Sequence, residues 1–168
     1  MAGNVTFNDY SIEVMAELDE TMTAWLYEAA NEVTAQAQRT CVMEDDAGKR
    51  LKGSYANNVD ESKGEATVGT PLEEGFWEEF GTGEYAAHGD GRKGWWVFIR
   101  GQASQGGGKS YSTKEEAEEA AAFLRGAKGL DAVVTNGRPP NYTLEKAFQS
   151  KQGWAEKRAA EMLKERME

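Results

Sequence analysis

The stretch that decides the fold is Ser11–Met43, SIEVMAELDETMTAWLYEAANEVTAQAQRTCVM. Apolar residues recur in it at Met15, Leu18, Met22, Leu26, Ala29, Val33 and Ala37. Steps of three and four lay a single stripe along a helix. The acidic opening, with Glu13, Glu17, Asp19 and Glu20, complements the positive end of the helix dipole. Such a helix is on the order of 45 Å long, longer than a small domain, so it is expected to lie across a sheet or to reach a neighbour.

Beyond this helix, Glu44-Asp45-Asp46-Ala47-Gly48 is expected to stop it, Gly48 taking the left-handed conformation that turns the chain into a loop. Ser54–Val59 and Glu65–Gly69 then read as short strands joined by the turn-rich Asp60–Gly64, a hairpin. Pro71–Phe80 reads as a short helical turn. It runs into Gly81–Gly94, whose five glycines in fourteen residues predict a loop that is mobile in the free protein.

Trp95–Arg100 is read as a buried strand, whereas Gln102–Lys109 has too little apolar content to pack and predicts a flexible surface loop. Thr113 with Glu116 three residues on is a capping-box pattern, opening a helix marked by Ala117, Ala120, Ala121 and Leu124 and ending near Gly126 or Gly129. Leu130–Thr135 predicts another strand, stopped by the turn Asn136-Gly137-Arg138-Pro139-Pro140 because proline cannot donate into a sheet ladder. Two helices are expected to follow, Thr143–Gln149 and Trp154–Met167. The expected class is α+β: a small antiparallel sheet packed against a long N-terminal helix and C-terminal helices. With 168 residues, no linker and no internal repeat, one domain over 1–168 is expected, with an inserted loop and helix at about 102–132.

Composition narrows the function. Met1–Tyr10 lacks the features of a signal peptide, and the longest apolar run, Trp95–Ile99, is far too short to span a bilayer, so no membrane role is expected. The single cysteine, Cys41, forms no intrachain disulfide, and with the single histidine, His88, it supplies no zinc set, which suits a reducing cytoplasm. The net charge of −10 repels nucleic acid at long range, although an acidic wall suits a protein past which DNA must slide without sticking.

Candidate chemical sites are few, and each has a plain structural alternative. Residues 103–110, from Ala103 to Lys109-Ser110, meet a relaxed phosphate-loop pattern. In a working loop the lysine and serine open the following helix, yet here the helix is predicted to start only at Thr113, so an ordinary surface loop is the simpler reading. Glu78, Glu79, Glu84, His88 and Asp90 cluster in sequence, but their spacing fits no zinc or calcium motif, and a solvated loop accounts for them. Cys41 reads as a packing residue. Trp95 and Trp96 are neighbours in a strand and face opposite ways, so one ring is expected in the core and the other at the surface, at a subunit interface. No catalytic, cofactor-binding or metal-ligating residue is assigned.

Three stretches, taken in order, resemble the small tail-completion or head-tail joining proteins of siphophages. Asp46-Ala47-Gly48-Lys49 through Ser54 resembles the family's Asp-Thr-Gly segment, with Ala47 in place of threonine. Phe76-Trp77-Glu78-Glu79-Phe80-Gly81-Thr82-Gly83 resembles its aromatic-x-x-Glu-Phe-Gly-Thr segment and is the most specific. Gly137-Arg138-Pro139-Pro140-Asn141-Tyr142-Thr143-Leu144, running on to Ala147-Phe148, resembles its Gly-x-Pro-Pro segment, with Tyr142, Thr143 and Lys146 as departures.

The resemblance implies a non-enzymatic virion protein of the phage neck. Its subunits would form a ring homo-oligomer between the tail tube or tail terminator and the head-side connector, and genomic DNA would pass through the ring without specific binding. It would be found in the host cytoplasm during assembly and in the virion thereafter, with no cofactor. Interface residues are expected among Phe76, Trp77, Phe80, Gly81, Thr82, Gly83, Trp95, Trp96, Pro139, Pro140 and Tyr142. The readings from another class are a small nucleotide-binding enzyme using residues 103–110 and an acidic host-interaction protein or DNA mimic.

Overall fold

The computed structural model describes residues 11–42, 46–101 and 108–167, with the side chains of the first helix described from Leu18 onward. Among the described residues the elements in chain order are α1 (Ser11–Thr40), α2 (Asp46–Ser54), β1 (Ala56–Asp60), β2 (Glu65–Gly69), α3 (Glu73–Phe80), β3 (Thr82–Gly83), β4 (Trp95–Ile99), β5 (Ser110–Tyr111), α4 (Lys114–Lys128), β6 (Ala132–Thr135), β7 (Gly137–Arg138) and α5 (Thr143–Met167). The class is α+β, with α1 packed on α5. Contacts divide the chain into two compact units, one built from the residues up to Pro71 together with those from Thr143 onward, the other Leu72–Tyr142.

In the first unit α1 and α5 run antiparallel. Contacts step oppositely along the two helices: Glu32 to Lys151 at 2.8 Å, Glu28 to Arg158 at 3.0 Å and Glu20 to Arg166 at 3.6 Å. Between them the Trp25 indole N–H donates to the Ala155 carbonyl at 2.8 Å. These contacts correct the expectation of two separate C-terminal helices. A glycine inside a helix costs about 1 kcal/mol relative to alanine, and the anchors at Lys151, Ala155 and Arg158 on either side of Gly153 offset that cost, so α5 continues through it.

The stripe along α1 is only partly covered. Ala37 is buried, as is Ala30 beside the stripe, whereas Leu18 and Met22 remain 37% and 40% exposed, because α5 is met by Trp25, Glu28 and Glu32 on the flank of the stripe. An apolar groove of about 320 Å³ lies here, with Trp25, Leu26, Val33, Val68, Leu144 and Phe148 among its walls.

A second correction concerns Asp46–Ser54, where the stop of the first helix at Gly48, a loop after it and a strand from Ser54 were expected. The segment is α2, held by the fully buried Leu51, with Gly48 buried inside the helix and not closing one. The hairpin follows expectation. β1 and β2 pair antiparallel from Ala56↔Gly69 to Asp60↔Glu65, and Gly64 at φ +63° closes the turn. Asp60 organises that turn, accepting from the Ser62 hydroxyl at 2.6 Å and pairing with Lys63 at 3.0 Å. The hairpin lies on α1, where Asn57 Nδ2 donates to Asn31 Oδ1 and Thr34 Oγ1, each at 3.0 Å.

In the second unit β5, β4 and β6 form an antiparallel sheet with β4 at its centre, in the registers Trp95↔Tyr111 and Phe98↔Val133. Helix α4 packs on it, burying Ala117 and Ala121, whose small side chains permit close approach. Its start is the expected cap: the Thr113 hydroxyl accepts from Glu116 N at 3.3 Å, while the Glu116 carboxylate accepts from Ser112 N at 3.2 Å. Its end is at Gly129 and not Gly126, with Gly129 in the left-handed conformation and its N–H on Arg125 O at 3.1 Å.

Candidate functional site

All eleven residues singled out for an interface, from Phe76 to Tyr142, fall in the second unit. The structure sorts them into residues that hold the unit together and residues that face outward.

The holding group centres on the end of α3. A helix leaves its last four carbonyls without intrahelical partners, and a helix end among other chain segments needs substitutes. Here Gly81 N donates to Trp77 O at 2.9 Å, closing the last turn. Asn141 N donates to Glu78 O at 2.9 Å, Tyr142 N to Glu79 O at 3.3 Å and Ala87 N to Phe80 O at 2.9 Å.

The two prolines explain the approach of the distant segment. Pro139 and Pro140 carry no N–H, so they pass the helix end without an unmet donor and deliver the two amides that follow. Tyr142 completes the turn with φ +53°, a left-handed conformation uncommon outside glycine.

The same two segments also pair as strands, Thr82↔Arg138 and Gly83↔Gly137, and Arg138 N donates to the Thr82 hydroxyl at 3.0 Å. Asn136–Pro140, expected as a simple turn, thus contains the strand β7. Close approach explains the glycines. Gly81 has φ +73°, and a Cβ there would lie 2.7 Å from Arg138 O and 2.8 Å from Pro140 N. A Cβ on Gly83 would meet the Trp96 ring at 2.6 Å.

Glu78 is fully buried beneath this cap. Its Oε1 accepts from Asn141 Nδ2 at 3.2 Å, and its Oε2 lies 2.9 Å from Arg138 Nη2, an ion pair without the alignment of a hydrogen bond. The Arg138 side chain is 37% exposed, so the pair has one dry end and one wet end.

Gly81–Gly94, expected as a mobile loop, is folded back on itself. Glu84 N donates to Asn136 O at 2.9 Å, Gly89 N to Ala86 O at 3.0 Å, and Gly94 N to the Glu84 carboxylate at 3.2 Å. Its glycines serve tight turns and near contacts, so their number reflects packing.

The outward group is aromatic. Phe76 is 55% exposed, and its ring centroid lies 4.9 Å from that of Phe80, which in turn is 5.0 Å from His88. Tyr85 is exposed as well.

Trp95 and Trp96 differ from expectation, because both are half-buried and neither is a core ring or a bare surface ring. Each carries a cation on a face: Lys114 Nζ lies 5.7 Å from the Trp95 ring and the Arg92 guanidinium 5.0 Å from the Trp96 ring. The cations shield the ring faces while their charged ends stay wet.

The charged cluster seen in sequence disperses into separate structural roles. Glu78 is engaged at the cap, Glu79 is buried, Glu84 receives the Gly94 amide and Asn136 Nδ2, and His88 lies tilted against the Phe80 ring. No group of three or more potential metal ligands converges among the described residues. Cys41 is buried in the first unit.

Of the phosphate-loop-like segment, residues 103–107 lie outside the described residues. Lys109 and Ser110 lead into strand β5 and not into a helix, and Lys109 Nζ sits 4.8 Å from the Tyr111 ring. The geometry that would aim helix amides at a phosphate is therefore not formed by these two residues. No helix among the described residues is long and apolar enough to cross a membrane.

Sequence reasoning missed the ion pair of Glu78 with Arg138, treating the former as a loop carboxylate. Helical phase pointed the other way: Phe76 and Phe80 share the face opposite Glu78, so the aromatic pair predicted the carboxylate outward, whereas Phe76 is 55% exposed and Glu78 is buried. No family model, no curated protein and no solved structure matches this chain.

Proposed function

We propose that this chain is a structural protein of a tailed-phage virion, a subunit of an oligomeric ring in the neck that completes the tail and joins it to the DNA-filled head. One observation carries the reading. Two of the three stretches that resemble the head-tail joining proteins, Phe76–Gly83 and Gly137–Tyr142, meet in one cap, where each supplies what the other lacks. Motifs far apart in sequence that make a single joint form a structural signature, which fits a protein working by shape and assembly.

A ring of identical subunits needs two different complementary faces on each copy. The Phe76, Phe80 and His88 row supplies aromatic contact area of the kind that dominates assembly interfaces. The other partners on this reading are the tail tube or tail terminator on one side and the head-side connector on the other, with DNA passing through. No catalytic step and no cofactor is assigned.

The test is electron microscopy of lysates from the phage or prophage that carries the gene, with a nonsense codon placed early in it. Full heads beside detached tails are the expected result. Tails of abnormal length would move the role to tail termination, and normal virions in normal numbers would remove the protein from the neck.

A further inference from the structure

Between Gly91 and Lys114 the sequence holds Arg92, Lys93, Arg100, Lys109 and Lys114 and no Asp or Glu, so this segment carries +5 in a chain whose total is −10, leaving −15 on the remainder. The structure gathers four of the five at one end of the β5-β4-β6 sheet. Trp95↔Tyr111 and Trp96↔Ser110 pair there; Lys114 lies over Trp95, Arg92 over Trp96 and Lys109 over Tyr111, with Lys93 next to Arg92 in the chain. Arg92 is also fixed by donating to Ser110 Oγ at 2.8 Å and to the Gly108 carbonyl. Arg100 follows the opposite end of β4.

Many cations in other parts of the protein are matched, among them Lys63 with Asp60, Lys151 with Glu32, Arg158 with Glu28, Arg125 with Glu118 and Arg138 with Glu78, while Arg39, Lys52, Lys128 and Lys157 make no ion pair within the described residues and lie scattered along the chain. The five of this segment make no ion pair within the described residues, although Lys93, Arg100, Lys109 and Lys114 are exposed. A chain with excess acid that keeps four cations without ion pairs together at one sheet end presents a charged face to something outside itself.

We infer that this basic end of the β4–β5 sheet is an assembly face that docks on the acidic surface of a second copy of the chain. The inference rests on the ring reading above and specifies one of its two complementary faces. Charge complementarity identifies the occupant, since each copy carries both the face of four cations and a remainder of −14, and such an arrangement is heterologous, joining head to tail. The three rings act by holding the cations in place, which lowers the ordering entropy lost on docking.

Single-stranded nucleic acid is the less suitable partner for this face. Base stacking needs bare ring faces in one row, whereas Trp95 and Trp96 alternate across β4, both are half-buried and each already bears a cation.

The test compares the full-length protein with a Lys93→Glu/Lys109→Glu variant, two exposed positions, by sedimentation velocity and negative-stain microscopy over a concentration series. Circular dichroism and the melting temperature verify the fold, and Lys93→Gln/Lys109→Gln provides a milder second variant. The expected result is association of the wild type that weakens about tenfold or more between about 0.05 M and about 0.5 M salt, is lost in the Glu variant and is reduced in the Gln variant.

Association that ignores both salt and the substitutions would overturn the basic face while leaving the ring intact. A wild type that stays monomeric at low salt would overturn it too, and the nonsense-codon phenotype would still decide the neck role separately. Binding of a single-stranded oligonucleotide by the wild type, abolished in the Glu variant, would reassign the face to nucleic acid and overturn the proposal.

Discussion

Arg138 places its guanidinium 2.9 Å from the carboxylate of Glu78, whose side chain has no exposure at all. Because the arginine end is wet and the glutamate end is dry, the two halves of the pair are not equivalent. Removing Arg138 takes the countercharge from a carboxylate in the interior that keeps its bond from Asn141, whereas removing the charge of Glu78 leaves an arginine that can rehydrate.

Arg138→Ala is therefore expected to cost about 3–5 kcal/mol. Glu78→Gln, which keeps an acceptor for Asn141, is expected to cost only about 1–2 kcal/mol. Urea denaturation followed by tryptophan fluorescence gives the order directly, and equal losses would remove the asymmetry.

At Gly81 the backbone conformation and the surroundings both exclude a side chain. The residue has φ +73° and ψ −177°, and its missing Cβ position lies 2.7 Å from a backbone carbonyl that the β3–β7 pairing holds in place. Gly81→Ala is expected to destabilise by about 3 kcal/mol or more, visible as a lower melting temperature and faster proteolysis around Gly81–Gly94.

Gly153 is the opposite case. It lies inside α5 with nothing within 4 Å of its Cβ position and no positive φ. Gly153→Ala should stabilise the protein by about 0.5–1 kcal/mol through helix propensity and a less flexible unfolded chain. A fall in the urea midpoint would show that the glycine is required for a bend or a contact.

The Glu32 carboxyl is held below the usual carboxylate range, chiefly by its hydrogen bond from Lys151 and then by the charge of that same lysine. A depressed folded-state value means that the stabilisation is complete above the unfolded pKa and is lost as the pH falls through the lowered one. Glu32→Gln should flatten the decline in stability between about pH 5 and about pH 3. Asp60, held low first by the Ser62 hydroxyl and then by Lys63, contributes a decline of the same sign and remains in the variant as an internal reference. An unchanged pH slope in Glu32→Gln would show that the bridge is screened by water.

Local chemistry was legible in the sequence wherever the determinants lie within a turn of one another. The Thr113 and Glu116 cap, the Asp60–Gly64 turn, the strand at Trp95, though half-buried where a buried one was expected, and the helical character of α1 each depend on neighbours a few residues away. Among the interface candidates, the sequence did not show the division of labour: Gly81, Gly83, Pro139, Pro140 and Tyr142 build the joint, while Phe76 stands at the surface.

The amino-acid sequence by itself determined an α+β chain of acidic character with a long amphipathic first helix, because composition, periodicity and capping are properties of short stretches. Only the tertiary structure decided that α5 runs unbroken through Gly153, that Asp46–Ser54 coils around a buried Leu51, that Gly81–Gly94 folds back, and that Glu78 is sealed under Arg138 and Asn141. Each of those outcomes depends on a partner distant in sequence, whose burial or hydrogen bond outweighs a local preference of about 1 kcal/mol.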